Sequence, residues 1–357
     1  MSGEGVMQVA GGGEPVGQAY YRISRRRRFL IAVLVLATAF SVLVNIATGP
    51  AGLSLSVAVN GLMWPDSLTE GESVILWSVR LPSAVMALAV GACLGLAGAE
   101  TQTVLNNPLA SPYTLGISWA ATLGAVLAII GGPGVIGLAT DIELPVFAFL
   151  FALLAGLGIL LLGQMFGTGS ETIILFGIAL VFLCTALVAL LQFVGNADEV
   201  QQTVLWSMGS LARATLQQAL IILAVLVVTA PFAFRAAWSL TLLRGGEDQA
   251  ESLGLSLQRM RVISLFRASL LTAAATAFAG PIGFIGLVGP HIARLLLGED
   301  HRYFLPGAAL VGALLLSLAS IAAKTAFPGI LVPVGLVTAL LGLPAFVALV
   351  ILQRRGG

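Results

Sequence analysis

The sequence has little charge, a single lysine and only two cysteines. Charged residues make up 9% of the 357 positions and the net charge is +1, which gives no basic surplus for binding nucleic acid. The phosphate-binding loop of an ATPase needs a lysine after G-x-x-x-x-G, yet Lys324 follows Ala-Ser-Ile-Ala-Ala, so the chain has no such loop. Cys93 and Cys184 lie in apolar runs, which argues against a disulfide framework and indicates small packing residues.

What the sequence has in abundance is apolar residues and glycine. Hydrophobic residues make up 58% of the chain, the mean hydropathy is +1.03, and there are 42 glycines. A membrane crossing takes about 20 apolar residues, and small residues let neighbouring membrane helices pack closely. The long apolar runs do not fit an outer-membrane barrel. The composition therefore predicts an all-α polytopic membrane protein.

Hydropathy along the chain predicts about ten transmembrane helices, each close to the length of one crossing. They cover residues 29–48, 82–101, 115–131, 145–163, 173–194, 219–238, 262–280, 282–297, 304–323 and 333–352. In one alternative, residues 262–297 form a helix and a re-entrant loop, which leaves eight crossings.

The basic residues are unevenly distributed over these segments. The N-terminal tail, the loops after spans six and eight, and the C-terminus hold most of the arginines, whereas the outer segments hold only Arg80, Arg213 and Lys324. By the positive-inside rule both termini are cytoplasmic. Residues 1–28 are predicted to be a polar and basic cytoplasmic tail, and 29–353 a single transmembrane domain. The first apolar run is too long for a signal peptide.

One short acidic segment, residues 246–254, interrupts the apolar chain. Glu247 and its acidic neighbours stand where the dipole of a short helix favours negative charge, and Gly254 is a suitable stop. Ala250, Leu253 and Leu257 share one side in helical spacing, which gives a small apolar face. The segment is predicted to be a short helix that a partner recognises; the plain alternative is a solvated helix without a partner.

Several motifs occur in a specific order. They are Arg80-Leu81-Pro82, the run NPLASP from Asn107, the run GPIGFIGLVGPHIAR from Gly280, and LVPVGLVTA from Leu331. This set resembles the FecCD-type permeases of bacterial ABC importers, which carry ferric siderophores, haem or cobalamin. The resemblance extends over residues 80–352.

The resemblance implies a type II ABC importer permease with ten helices in the bacterial cytoplasmic (inner) membrane. Expected partners are two ATPase subunits, a second permease that is either identical or a sister chain, a substrate-binding protein and membrane lipid. No cofactor, metal site or catalytic residue is expected, since ATP hydrolysis belongs to a separate subunit. The acidic helix matches the family's coupling helix, which docks on the ATPase, and the matching positions are Glu247, Ala250, Leu253 and Gly254.

The resemblance also implies a cytoplasmic gate. The matching positions are Asn107, Pro108, Leu109, Ser170 and Glu171. An irregular, proline-containing backbone at membrane depth needs protein or a water-filled cavity around it, which suits a gate. An ordinary turn is the alternative for Asn107 and Pro108, and the charge of Glu171 departs from the small residue usual in the family.

On the outer face, the family places basic residues that pair with acidic residues of the binding protein. Arg80 and Lys324 match these positions. Two departures, Ser83 and Ser320, remove residues that the family often has, and a lysine lacks the arginine fork, so a weaker dock is expected. Arg80 as a snorkelling residue at the membrane interface is the alternative.

Three further residues are candidates for lining the transport path: Gln102, Trp206 and Met208. For Trp206, anchoring at the lipid interface explains the residue equally well. Glu100 indicates either the path or a structural hydrogen bond. His291 is interpreted as a packing histidine rather than a metal or substrate ligand, because no partner lies at ligand spacing.

Two unrelated functions compete with an ABC permease. An ion-coupled secondary transporter would take up substrate from this protein alone. An intramembrane serine protease would use Ser118 as nucleophile and His291 as base, although Ser118 more simply starts a helix. The substrate stays open: a ferric siderophore is the first expectation, with haem and cobalamin as alternatives.

Overall fold

The computed structural model describes residues 16–50, 52–132, 140–167, 169–327 and 329–355. Fifteen α-helices are found in these ranges. They are α1 Val16–Ala47, α2 Leu55–Met63, α3 Glu70–Ser73, α4 Leu81–Val104, α5 Ile117–Ile130, α6 Thr140–Phe166, α7 Ser170–Val194, α8 Ala197–Ser207, α9 Leu216–Arg235, α10 Ala237–Leu243, α11 Glu247–Ser252, α12 Leu257–Ala279, α13 Ile285–Leu297, α14 His301–Thr325 and α15 Val334–Arg355. A π-helical segment, Val74–Arg80, joins α3 to α4.

Ten of the helical segments correspond to the ten predicted spans. Seven are long and apolar enough to cross a membrane: Tyr20–Ala47, Glu70–Val104, Ile142–Phe166, Ser170–Val194, Leu216–Arg235, Leu257–Ala279 and His301–Thr325. Three shorter apolar helices, Ile117–Ile130, Ile285–Leu297 and Val334–Pro344, take the remaining places. The predicted all-helical membrane fold is confirmed. Residues 262–297 form two separate helices, α12 and α13, joined by a non-helical stretch at 280–284.

Helix α4 forms the centre of the bundle, in contact with α14, α12, α9 and α13. Its glycines allow backbone to touch backbone, because a Cβ at Gly95 would collide with the carbonyl oxygen of Ala308, and one at Gly98 with that of Gly286. Such close approach increases dispersion contacts where no water drives the helices together. By contrast, most residues in the apolar parts of α1, α7 and α9 are exposed or half-buried, as in lipid-facing helices.

The first helix begins within the segment predicted to be the N-terminal tail. Residues 1–15 lie outside the described part of the chain, but α1 already begins at Val16, so the four arginines at 25–28 belong to the first helix. Arginine is a good helix former, and Arg27 pairs with Asp300 at 3.3 Å and stacks on Tyr303. The predicted limit between residues 28 and 29 therefore lies inside one continuous helix.

We use two names for the ends of the bundle. The basic end holds Arg27, Arg244, Arg261 and Asp300, which lie in segments predicted to be cytoplasmic. The opposite end holds Arg80 and Lys324.

Candidate functional site

The acidic segment at the basic end is the six-residue helix α11, Glu247–Ser252. Gly246 (φ +124°) begins it and Gly254 (φ +83°) ends it. Beyond Gly254, the amide of Leu255 donates to the carbonyl of Ala250 at 3.1 Å, a bond of the Schellman type that stops a helix at a left-handed glycine. The predicted short helix and its glycine stop are thus present.

The predicted apolar face of this helix is divided. Ala250 and Leu257 are buried against the protein, whereas Leu253 is 59% exposed. Leu253 is the residue where the helix ends (φ −86°, ψ 8°), so helical spacing no longer determines its direction. The grouping of Leu253 with Ala250 is therefore corrected: one anchors the helix to the bundle, and the other faces outward.

A buried arginine ties this helix to α4. The guanidinium of Arg261, in the first turns of α12, donates to a carboxylate oxygen of Glu247 at 2.5 Å and, through Nε, to the carbonyl oxygen of Val104 at 3.1 Å. Val104 is the last residue of α4. One side chain thus connects the coupling-helix candidate to the end of the central helix, a link that the sequence reasoning missed.

A second arginine makes a parallel connection. Arg244, just before α11, donates to Oδ1 of Asn106 at 2.8 Å and to Glu299 at 2.9 Å. Arg294 approaches the same carboxylate oxygen of Glu299 at 3.2 Å. The segment leading into α11 is therefore joined both to the turn after α4 and to the connection between α13 and α14.

The turn after α4 is irregular, as expected for the gate candidate. Asn106 adopts φ +43°, a left-handed conformation that asparagine tolerates. Oδ1 of Asn107 accepts from the amide of Leu109 at 2.8 Å, while Pro108 and Leu109 are exposed. These side chains project from the basic end.

The other two gate candidates lie on a different element. Ser170 is the first residue of α7 and is partly buried, and Glu171 beside it is exposed. Within the described ranges, no hydrogen bond or ion pair joins either residue to the turn at 107–109. The role of these residues in a gate stays a prediction.

At the opposite end, the two docking candidates point inward. Arg80 is only 3% exposed, and it donates to the carbonyl oxygens of Ile46 at 3.1 Å and Ala47 at 2.7 Å. These carbonyls belong to the last turn of α1, which has no helical donors of its own for them. The ammonium of Lys324 donates to Oδ1 of Asn45 at 2.6 Å. Both cations line a cavity of about 220 Å³. Arg80 is buried and Lys324 partly buried, and their role in docking the binding protein stays a prediction.

The predicted path-lining residues also differ in exposure. Gln102 is buried and donates to the carbonyl of Leu287 at 3.1 Å. Trp206 is only 2% exposed and packs in a cluster with residues of α5, α6 and α12, so it is not a lipid-interface anchor in this chain. Met208 is partly exposed. Their role in a path stays a prediction.

Glu100 makes a structural interaction, one of the two alternatives predicted for it. Its carboxylate pairs with the guanidinium of Arg267 on α12, and both side chains are buried. Arg267 also donates to the hydroxyl of Ser264 at 3.0 Å. This ion pair joins the two helices inside the bundle. His291 is buried, as interpreted from the sequence.

The family model described as the FecCD transport family matches residues 34–352. The chain belongs to the FecCD family. Among curated relatives, the hemin transport system permease protein HmuU of Yersinia pestis is 36% identical over 323 residues, 90% of this chain and 96% of that protein. The vitamin B12 import system permease protein BtuC of Salmonella typhi is 35% identical over 307 residues, 85% of this chain and 91% of that protein.

A solved structure supports the same assignment. It is an inward-facing conformation of an ABC transporter assigned to the metal-chelate type, with a TM-score of 0.80 and 28% sequence identity, covering 91% of this chain and 99% of that one. This FecCD protein is thus a multi-pass permease of an ABC importer. The permease is not catalytic by itself, because the ATPase is a separate subunit, and the family works with ATPase subunits and a substrate-binding protein. The family predicted from the motifs is confirmed.

Proposed function

We propose that this FecCD permease carries a ferric siderophore across the cytoplasmic membrane into the cytoplasm. The observation that supports the proposal is the chemistry shared by its relatives. Their names refer to hemin, vitamin B12 and metal chelates, all of which hold a metal within an organic ligand. A chelated metal needs no ligand from the permease. Haem and cobalamin are the competing substrates, favoured by the relatives named for them.

The test is uptake into proteoliposomes that contain the permease, its ATPase and its binding protein. ATP-dependent uptake of a radiolabelled ferric siderophore is expected to exceed uptake of haem or cobalamin at least about tenfold, which corresponds to ~1.4 kcal/mol of discrimination. Equal or faster uptake of haem or cobalamin would overturn the siderophore assignment. Uptake by the permease alone, driven by an ion gradient, would contradict ATP coupling altogether.

The proposed assembly has two permeases, two ATPase subunits and one binding protein, with both permease termini in the cytoplasm. The second permease is an identical or a sister chain, and residues 29–353 act as one permease domain. The arginine distribution supports this orientation. The native mass of the purified complex tests the stoichiometry, and protease access to an N-terminal tag in sealed vesicles tests the orientation.

We propose that α11 couples the permease to the ATPase. Leu253 is exposed beside the acidic residues Asp248 and Glu251, while buried Ala250 and the glycine stop at Gly254 hold the helix rigidly. Leu253→Asp should remove most ATPase co-purification and substrate-stimulated ATP hydrolysis, because it places a charge where an apolar contact is expected. Gln258→Asp, an exposed position outside α11, is the matched control and should retain both. Full stimulation in Leu253→Asp would refute the coupling role.

We propose that Asn107, Pro108, Leu109, Ser170 and Glu171 close the path where two permeases meet. Pro108 and Leu109 are exposed in one chain, which leaves them available to a second copy. Single cysteines at Asn107 or Ser170, with Cys93 and Cys184 replaced, should cross-link between permeases, with a yield that changes when ATP binds. Disulfides form only where Cα atoms come within about 7 Å. Cross-linking at the opposite end alone, in every nucleotide state, would place the gate elsewhere.

We propose that Arg80 and Lys324 receive acidic side chains of the binding protein through the cavity they line. Both side chains also bind the end of α1, but a glutamine at 324 can keep a hydrogen bond to Asn45, so Lys324→Gln is the cleaner variant. It should weaken binding-protein association by about 1 kcal/mol, more strongly at low salt. Arg213→Gln removes an exposed charge and serves as control. Unchanged affinity and salt dependence in Lys324→Gln would exclude this dock.

A further inference from the structure

A groove at the basic end gathers arginines between α9, α10 and the start of α12. Its volume is about 420 Å³, and its lining includes Arg235, Arg259 and Arg267 together with Ser239 and Ser256. Arg267 is paired with Glu100. In the described part of the chain, the side chains of Arg235 and Arg259 have no hydrogen bond or ion pair, and both residues are exposed. The groove thus presents two guanidinium groups without an acidic partner.

One wall of the groove is formed by apolar side chains that are exposed. Phe232, three residues before the end of α9, is 55% exposed, and Ile263 on α12 is 41% exposed. Trp238, the chain neighbour of the lining residue Ser239, is exposed and lies beneath the guanidinium of Arg302, 5.6 Å from the ring centroid. Tryptophan at this depth is typical of the boundary between headgroups and hydrocarbon. The exposed tryptophan indicates that this end of the bundle lies at the headgroup level, where the arginines of the groove stand beside apolar side chains suited to acyl chains.

We propose that this groove binds the phosphate of an anionic phospholipid of the inner leaflet. Arg235 and Arg259 bind the phosphate oxygens in forked geometry, and the acyl chains lie along Phe232 and Ile263. Basic pockets between membrane helices on the cytoplasmic side are the usual form of such sites. A soluble anion or an acidic segment of the ATPase would match the arginines but leave the apolar wall uncovered. The groove also includes Gly254 and Ser256, so the bound headgroup touches the junction between α11 and α12.

The experiment counts lipids that remain bound to the purified full-length permease in native mass spectrometry. The probes are phosphatidylglycerol and phosphatidylcholine of equal chain length, added in detergent. Wild type should retain phosphatidylglycerol at least about tenfold better than the double variant Arg235→Gln/Arg259→Gln, a difference of ~1.4 kcal/mol. Arg25→Gln/Arg28→Gln removes two exposed charges from the same end and should retain the lipid like wild type.

Further measurements distinguish lipid binding from a folding defect and from binding of another ligand in the groove. Arg235→Lys/Arg259→Lys keeps the charge but loses the fork, and intermediate retention is expected. The glutamine and lysine double variants of Arg235 and Arg259 should both keep the melting temperature of wild type in the same detergent. Equal retention of phosphatidylglycerol in wild type and the glutamine variant overturns the proposal. So does displacement of the lipid by soluble glycerol phosphate, which means a free-anion site, or by the ATPase subunit, which means a protein interface. None of these readouts depends on the transported substrate.

Discussion

Arg261→Gln is expected to let the assembled transporter hydrolyse ATP while uptake falls at least about tenfold, since a tenfold change corresponds to ~1.4 kcal/mol. The reason is the position of the guanidinium between Glu247 on the coupling-helix candidate and the carbonyl of Val104 at the end of α4. Two residues after Val104 comes Asn106, which is held by Arg244. Without Arg261, a movement of α11 would reach the turn proposed as the gate through one link instead of two.

Three companion variants show which bond matters. Glu247→Gln removes only the ion pair to α11. The swap Glu247→Arg/Arg261→Glu restores opposite charges but offers no donor to the carbonyl of Val104, and an unpaired buried carbonyl costs about 1–3 kcal/mol. We expect the swap to remain uncoupled. Arg28→Gln, which removes an exposed charge from the same end, controls for net charge.

The measurement is the ratio of substrate moved to ATP hydrolysed in proteoliposomes. A normal ratio in Arg261→Gln would show that this arginine only stabilises the fold. Recovery of the ratio in the swap would mean that the ion pair, and not the link to α4, carries the movement.

Gly95→Leu should abolish most of the folded protein. A Cβ at this position would already collide with the backbone oxygen of Ala308 on α14, so α4 and α14 would have to separate. Overpacking a core typically costs about 1–3 kcal/mol, and here the obstacle is backbone, which cannot change rotamer. The yield of monodisperse protein after detergent extraction, and its melting temperature, measure the effect.

The matched control is Gly158→Leu. Gly158 is also a glycine within a membrane helix, α6, but a Cβ there would meet nothing within 4 Å. We expect yield and melting temperature close to those of wild type, since leucine is the better helix former. Similar losses in both variants would mean that helix flexibility, rather than close packing of α4 on α14, explains the glycines.

The sequence predicts those features that are determined locally. Ten spans follow from hydropathy, and the bounds of α11 follow from Gly246, Gly254 and the acidic residues between them. The predicted direction of the Leu253 side chain was wrong because Leu253 stands where the helix ends. Local periodicity holds only inside a regular element.

Contacts between distant segments are what the sequence could not supply. Arg80 matches a family docking position, but its side chain bends inward because the end of α1, more than thirty residues earlier, needs donors. Arg261 and Val104 are 157 positions apart, and no pattern in a single sequence connects them. Arginine side chains are long enough to serve several partners, so their targets depend on which helix ends the fold places nearby.

The ion pair between Glu100 and Arg267 has a consequence for biogenesis. Ribosomes deliver α4 to the membrane long before α12, because 167 residues separate the two side chains. During that interval Glu100, in the last turns of α4, has no cation, and an unpaired acidic side chain within a membrane helix is costly. The centre of the bundle therefore cannot be completed in the order of synthesis. Helix α4 reaches its final place only when the second half of the chain has entered the bilayer.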